Sequence, residues 1–140
     1  MCTKFKYLLI CVFIFSCKNT NVTKSYTRQI KESYIYDFKI KYFKKLLVVC
    51  FNNSESIKNI VHEDRSGYGE PILSIEDYNL IDSFTKIDNK LIIVDSIKKV
   101  GKVSEGAQGK HVFSYALFKF ESKWLDSLAK VRYEIFQKNQ

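Results

Sequence analysis

One cysteine and one histidine of this sequence could form a nucleophile and its base. They are Cys50 and His111, because a cysteine enzyme needs a thiolate activated by an adjacent imidazole. Cys50, however, lies inside an apolar run at the predicted C-terminal end of a helix, where burial and the helix dipole both disfavour the thiolate. The sequence therefore predicts no cysteine enzyme.

Two further patterns resemble cofactor sites without meeting their requirements. His62-Glu63-Asp64 lacks a second histidine four residues on, where Ser66 stands, so it does not form the zinc-binding helix motif. The glycines that precede Lys110 have the wrong spacing for a phosphate loop, and no Ser or Thr follows that lysine. We expect neither a metal nor a cofactor.

Four aspartates in one stretch of the chain could supply paired catalytic carboxylates. Their scatter along one polar stretch favours a solvated helix face instead. They are Asp77, Asp82, Asp88 and Asp95.

The N-terminus carries a residue pattern with chemistry of its own, a lipid attachment site. Lys4 and Lys6 precede an apolar run over residues 7–15, and Ser16-Cys17 follows. This order is typical of a secretory signal, and the run is too short to span a membrane permanently. The ending resembles a bacterial lipobox, so Cys17 is the predicted lipidated residue and membrane anchor.

The composition divides the chain into three parts. We expect a signal peptide at 1–16, lipidated Cys17 with a flexible polar tether over 17–30, and one domain at 31–140. Because Lys18 is not the Asp that retains many lipoproteins in the inner membrane, we expect a periplasmic location at the outer membrane. Of four cysteines, only Cys50 remains in the domain, so no internal disulfide can form.

The net charge of +8 does not by itself indicate a nucleic-acid partner. The lysines are spread over predicted helix faces, which is typical of solvated surface rather than of a basic patch. A periplasmic address also argues against nucleic acid.

Apolar residues at three- and four-residue steps predict an all-α domain, a compact bundle of four to five helices. The first helix covers about 31–51, Ser54 begins a second, Ser74 a third and Ser122 the last. The first helix has the apolar face Tyr34, Ile35, Phe38, Tyr42, Leu46, Val49 and Cys50, and the third has Ile75, Tyr78, Ile81, Phe84, Ile87 and Leu91.

Residues 91–94 and the aromatic residues near the C-terminus each fit more than one structural role. Residues 91–94 also suit a buried strand because of their β-branched side chains, but no partner strand is evident, so a helix is preferred. The aromatic residues near the C-terminus are predicted to form core, with some at a subunit contact. They are Phe113, Tyr115, Phe118, Phe120 and Trp124.

Three segments resemble a known family. They are residues 43–50, residues 67–78 with Gly67-Tyr68-Gly69-Glu70, and residues 116–128 with Ser122-Lys123-Trp124-Leu125-Asp126. Together they are similar to the fourth family of type VI secretion amidase immunity proteins. The resemblance implies a small helical periplasmic inhibitor that protects a cell from a sister cell's peptidoglycan-cutting cysteine amidase.

The resemblance has departures. The family pattern places a cysteine at the position of Ala116, able to pair with one at the position of Cys50, so that bridge is absent here. Phe118 stands where an acidic residue is common, and a lipid anchor is not a requirement of the family.

The resemblance implies an occlusion mechanism, in which a loop enters the amidase cleft and covers its catalytic residues. Family members are dimers, so a homodimer is also expected. The loop at 101–110 is the predicted partner-binding segment, with Gly101, Lys102, Glu105, Gln108 and Lys110 as contact residues, and a plain helix connector is the alternative. The competing function is a structural or accessory envelope lipoprotein without a toxin partner.

Overall fold

The computed structural model describes residues 19–67 and 72–139. These residues form five α-helices and one short 3-10 helix and contain no strand, which confirms the predicted all-α bundle. Within them, no helix is long and apolar enough to cross a membrane. The expected signal peptide and Cys17 lie outside the described residues. The helices are α1 (Asn19–Cys50), α2 (Glu55–Glu63), α3 (Ile75–Lys99), the 3-10 helix (Glu105–Ala107), α4 (Val112–Glu121) and α5 (Lys123–Lys138).

Helix α1 begins earlier than the sequence pattern predicts. The described residues fall into two units, with the division between Ser33 and Tyr34. In the first, Asn19 to Ser33 are helical, whereas the polar composition of residues 17–30 predicts a flexible tether. Polar composition alone does not end a helix, and this stretch contains no glycine or proline. Arg28 Nε also donates to Glu32 Oε1 at 2.8 Å, one turn apart.

In the second unit, the buried face of α1 follows the predicted spacing. Its fully buried side chains recur every four residues, as helical geometry requires of one face. Ile35 and Val49, predicted on the same face, are partly exposed at its edges. These fully buried residues are Tyr34, Phe38, Tyr42, Leu46 and Cys50, and Leu47 beside them is buried to 9% exposure.

Of the serines predicted to begin helices, Ser74 and Ser122 cap theirs, whereas the side chain of Ser54 forms no capping hydrogen bond with α2. Asn52 and Asn53 have φ values of 56° and 57°, the left-handed conformation that asparagine tolerates, and they end α1. Ser74 accepts from the backbone N–H of Asp77, whose carboxylate accepts from the N–H of Ser74, a complete capping box. Ser122 caps α5 by accepting from the backbone N–H of Leu125.

Helix α3 turns a different face to the core from the one predicted. Its buried residues are Asp77, Ile81, Thr85, Asp88 and Ile92. Of the predicted apolar face, Ile81 is buried and Phe84 is partly buried, whereas the other four are exposed: Ile75, Tyr78, Ile87 and Leu91. Residues 91–94 are helical, not a strand. The prediction failed because α3 carries apolar residues on two faces, and only the packing of the bundle selects between them.

The predicted aromatic core is only partly buried. Phe113 and Phe118 are exposed, at 57% and 68%. Trp124 is about half exposed but packs edge-on against Phe84, with 5.1 Å between ring centroids. Only Tyr115 and Phe120 of the predicted set are partly buried. Two large aromatic side chains of α4, Phe113 and Phe118, therefore face solvent.

Candidate binding surface

The connection between α3 and α4 is an exposed loop with its own hydrogen bonds. The backbone N–H of Lys102 donates to Lys99 C=O at 3.0 Å, which closes the end of α3. Within the 3-10 turn, the N–H of Ala107 donates to Ser104 C=O at 2.9 Å. At the far end, His111 Nε2 lies 3.1 Å from Ala107 C=O. The loop is thus ordered by local bonds even though almost all of its residues are exposed.

Two glycines set the bends of this loop. Gly101 and Gly109 have φ values of 70° and 108°, in the left-handed region that favours glycine. A Cβ at either position would meet no other atom within 4 Å, so conformation and not space accounts for the residue type.

The five predicted contact residues all lie in this loop, but they divide into two groups. Gln108 folds back, with Nε2 donating to Val103 C=O at 3.3 Å. Lys110 Nζ donates at 3.0 Å to Cys50 C=O at the C-terminal end of α1, where a cation is favourable. These two side chains hold the loop. Lys102 and Glu105, in contrast, are exposed, and no hydrogen bond or ion pair engages their side chains within the described residues.

A groove of mixed apolar and polar lining lies beside the loop, between the second half of α3 and α4. Its volume is about 500 Å³. Leu91 and Phe118 are its exposed apolar residues, at 53% and 68%. The groove was missed from the sequence because Phe118 and Leu91 were both assigned to the core. Its lining consists of Leu91, Ile92, Asp95, Lys99, His111, Ser114, Tyr115 and Phe118.

Two buried carboxylates on α3 hold the neighbouring helices. Asp77 and Asp88 are 1% and 3% exposed, so the expectation of a solvated face is wrong for both. Asp77 Oδ2 accepts from Tyr34 Oη at 2.7 Å, and Asp77 Oδ1 accepts from Arg132 Nε. Asp77 thus joins α3 to α1 and α5. The sequence spacing could have predicted the burial of both aspartates, because it places them on the same side of the helix as Ile81.

Asp88 connects α3 to its neighbouring helices in the same way as Asp77. Its Oδ2 accepts from Tyr42 Oη of α1 at 2.7 Å. Its Oδ1 accepts from Tyr115 Oη and lies 3.0 Å from Lys119 Nζ, both on α4. Lys119 Nζ also lies 4.6 Å from the centre of the Trp124 ring. One carboxylate therefore fixes the side chain of Tyr115 that lines the groove.

These carboxylates serve packing rather than acid–base chemistry. Burial alone would raise the pKa of Asp77, but the hydrogen bonds from Tyr34, Ser74 and Arg132 outweigh it and leave the pKa below its usual value. Burial first, and then the bond to Asp88, raise the pKa of Tyr42 and of Tyr115 far above the ordinary tyrosine value. Asp77, Tyr42 and Tyr115 therefore each stay in one protonation state at neutral pH.

A larger groove of about 660 Å³ lies among α1, α2 and α3 and is rich in lysine. Its cations are largely engaged: Lys44 Nζ lies 3.0 Å from Asp64 and Lys45 Nζ 2.8 Å from Asp82. Lys44 also donates to the carbonyl of Ser66. These contacts join α1 to the segment after α2 and to α3. Lys44 and Lys45 therefore have a structural role.

Cys50 and His111 do not form a catalytic pair. Cys50 is buried, and burial raises the pKa of its thiol to about 11, although Lys110 partly opposes the shift. His111 is exposed and its Nε2 faces Ala107 C=O. Across the described ranges, no three His, Cys, Asp or Glu residues are placed to hold a metal ion. His62 and Glu63 lie exposed at the end of α2.

We expect Cys50 to react slowly with thiol reagents in the folded protein. A thiol pKa of about 11 makes the thiolate scarce at pH 8, and burial blocks access. Iodoacetamide labelling followed by peptide mapping should show modification of Cys50 at least ~100-fold slower in the native protein than in urea. Labelling of Cys50 at equal rates in the two states would contradict the burial described here.

Comparison with known proteins adds no relative: no family model matches the chain, and no curated protein or solved structure matches it.

Proposed function

We propose that this protein is an immunity protein that binds a type VI secreted peptidoglycan amidase and occludes its active-site cleft. It acts without catalysis and without a cofactor. The producing cell carries it in the periplasm, anchored to the outer membrane through lipidated Cys17, and so survives the amidase delivered by a sister cell.

The loop between α3 and α4 is the observation that carries this proposal. An occluding segment must protrude and must lose little conformational freedom on binding, because ordering a flexible loop reduces affinity. The loop is exposed along its length and is ordered by local hydrogen bonds, by two positive-φ glycines and by the Lys110 contact to α1. Lys102 and Glu105 point no polar group into the protein and can contact a partner.

The similarity of three segments to the immunity family supports the same function. Of those segments, residues 43–50 lie in α1, and residues 116–128 cover the end of α4 and the start of α5, with Ser122 between the two helices as the cap of α5. A disulfide between Cys50 and position 116 is absent, and both Cys50 and Ala116 are buried.

Co-expression in a periplasm tests the proposal. The full chain is produced together with a type VI secreted cysteine amidase, chosen from any that a gene adjacent to its own encodes, in cells that this amidase lyses. We expect survival with the wild-type chain and lysis without it. Lys102→Ala with Glu105→Ala should reduce protection, because it removes the two polar side chains that the loop leaves unengaged.

A matched control uses the same residue types on α5, Glu134→Ala with Lys138→Ala, which are also exposed. This pair should protect as the wild type does. Equal lysis with and without the wild-type chain would refute the proposed function and favour an accessory envelope lipoprotein.

A further inference from the structure

Helix α2 is the least buried helix of the bundle. Among the α-helices in the described part of the chain, it alone has no buried residue. Ile57 and Val61 are partly exposed, and Ile60 is 62% exposed. With nine residues, α2 is also shorter than the roughly 12–15 residues that an isolated helix needs to persist in water. Its own sequence and packing therefore do little to hold α2 in place.

The N-terminal end of α2 follows a tight turn. Asn52 and Asn53 form the turn with positive φ values, and the N–H of Asn53 donates to Val48 C=O at 2.8 Å. Ser54 stands at the N-cap but makes no side-chain capping hydrogen bond, so the first turn of α2 keeps free N–H groups. A few turn residues of this kind can absorb the change in direction when a neighbouring helix moves.

The C-terminal end of α2 is joined to α1 by the side chain of Lys44. Its Nζ donates to the carbonyl oxygens of Asp64 and Ser66 at 2.9 and 2.7 Å, and it lies 3.0 Å from the Asp64 carboxylate. An ammonium group has three N–H donors, and these three oxygens can engage all of them. The side chain of Lys44 is only 13% exposed. Because Asp64 is the C-cap of α2, Lys44 holds this end of the helix directly.

The segment after Asp64 rests on the same part of α1. Asp64 Oδ1 accepts from the N–H and the Oγ of Ser66, at 3.2 and 2.8 Å, and this closes a turn at the end of α2. Gly67 has a φ of 69° and lies so close to Ile40 that a Cβ would collide with the isoleucine side chain. Ile40 and Lys44 are one helical turn apart. One short stretch of α1 therefore receives the end of α2 and the residues that follow it.

We propose that α2 and the segment up to Ser66 open as a unit while the rest of the bundle stays folded, with Lys44 as the latch that closes them on α1. An element with few buried apolar contacts opens at a lower free energy than the whole domain unfolds. Val61 of α2 lines the groove of about 660 Å³, so opening removes one wall and widens access to Val48 on α1 and Ile81 on α3. This opening is independent of the proposed function, because it involves no partner.

Native-state hydrogen exchange of the full chain tests the opening. The protein is purified in a mild detergent, and exchange is read by mass spectrometry of its peptides. Backbone amides of α2 should exchange at least ~100-fold faster than those in the middle of α3 and of α5. Low urea concentrations should leave the α2 rate nearly unchanged, because a local opening exposes little surface, whereas the α3 rate should rise steeply.

Substitution of Lys44 tests the latch. Lys44→Met keeps an apolar side chain of similar length and removes the ammonium group. Exchange in α2 should rise a further ~10-fold, with a much smaller change in α3 and α5. The matched control is Lys45→Met at the next residue of α1, whose Nζ lies 2.8 Å from Asp82 on α3. It should leave exchange in α2 within ~2-fold of the wild-type rate.

Three results would overturn the proposal. Equal exchange rates and equal urea dependence in α2 and α3 would show that α2 opens only when the whole bundle unfolds. Equal α2 rates in the Lys44→Met and Lys45→Met variants would show that Lys44 does not hold the helix closed. A rise of the same size in α2, α3 and α5 of Lys44→Met would show that Lys44 stabilises the bundle as a whole.

Discussion

Replacing Asp77 by asparagine is expected to lower the free energy of unfolding by about 3 kcal/mol or more. The carboxylate accepts on both oxygens, from Tyr34 and the Ser74 N–H on one and from Arg132 on the other. The asparagine amide has only one acceptor oxygen. Either Tyr34 and the Ser74 N–H, or Arg132, must therefore face its NH2 group, which accepts no hydrogen bond. Arg132, whose side chain is only 18% exposed, also loses its counterion. Urea denaturation monitored by circular dichroism measures the change.

A matched control is Asp126→Asn, which removes a carboxylate that pairs with Lys130 one turn along α5. This partly exposed pair should contribute no more than about 0.5 kcal/mol. Equal losses in the two variants would show that Asp77 is not the buried junction described here.

The pH dependence of the same variant gives an independent check. Because the pKa of Asp77 is lower in the folded protein than in the unfolded chain, its contribution is complete above the unfolded value of about 3.9. It is lost as the pH falls through the folded pKa. The stability difference between wild type and Asp77→Asn should therefore shrink in acid. Other carboxylates with lowered pKa values, such as Asp82, are present in both proteins and cancel.

The features that the sequence predicted well are those set by local chemistry. Ser74 and Ser122 were identified as helix starts, because a hydroxyl that satisfies a free N–H acts over three residues only. The face of α1 was also predicted, since its polar residues leave one apolar stripe. The start of α1 was not, because polar residues 19–30 neither require a helix nor prevent one.

The features that were missed depend on neighbouring helices. On α3, Ile87 and Leu91 looked like core and Asp88 looked like surface, and the structure reverses these assignments. A buried aspartate is stable only where donors meet it, and its donors Tyr42 and Tyr115 are distant in the sequence. No residue pattern within α3 itself reveals these two donors.

The candidate surface was predicted in position but not in detail. The exposed loop stands where Gly101 and Gly109 indicate it, whereas Gln108 and Lys110, expected to contact a partner, fold back onto the protein. The adjacent groove could not be foreseen, because Phe118 resembles a core residue until the orientation of α4 is known.

Asp88→Ala is expected to be as destabilising as the change at Asp77, at about 4 kcal/mol. It leaves the hydroxyl of buried Tyr42 without an acceptor and Lys119, whose side chain is 19% exposed, without a counterion. It also releases Tyr115 from the base of the groove. Urea denaturation should show the loss of stability.

A double-mutant cycle shows whether the penalty comes from orphaned polar groups. Tyr42→Phe alone should cost about 1 to 2 kcal/mol, because Asp88 keeps Tyr115 and Lys119 as partners. Combined with Asp88→Ala, it removes the hydroxyl that the first change leaves buried and unbonded, so the double variant should be more stable than the sum of the single effects predicts. Strict additivity would mean that Tyr42 and Asp88 act independently, and the carboxylate would then not be what joins α1, α3 and α4.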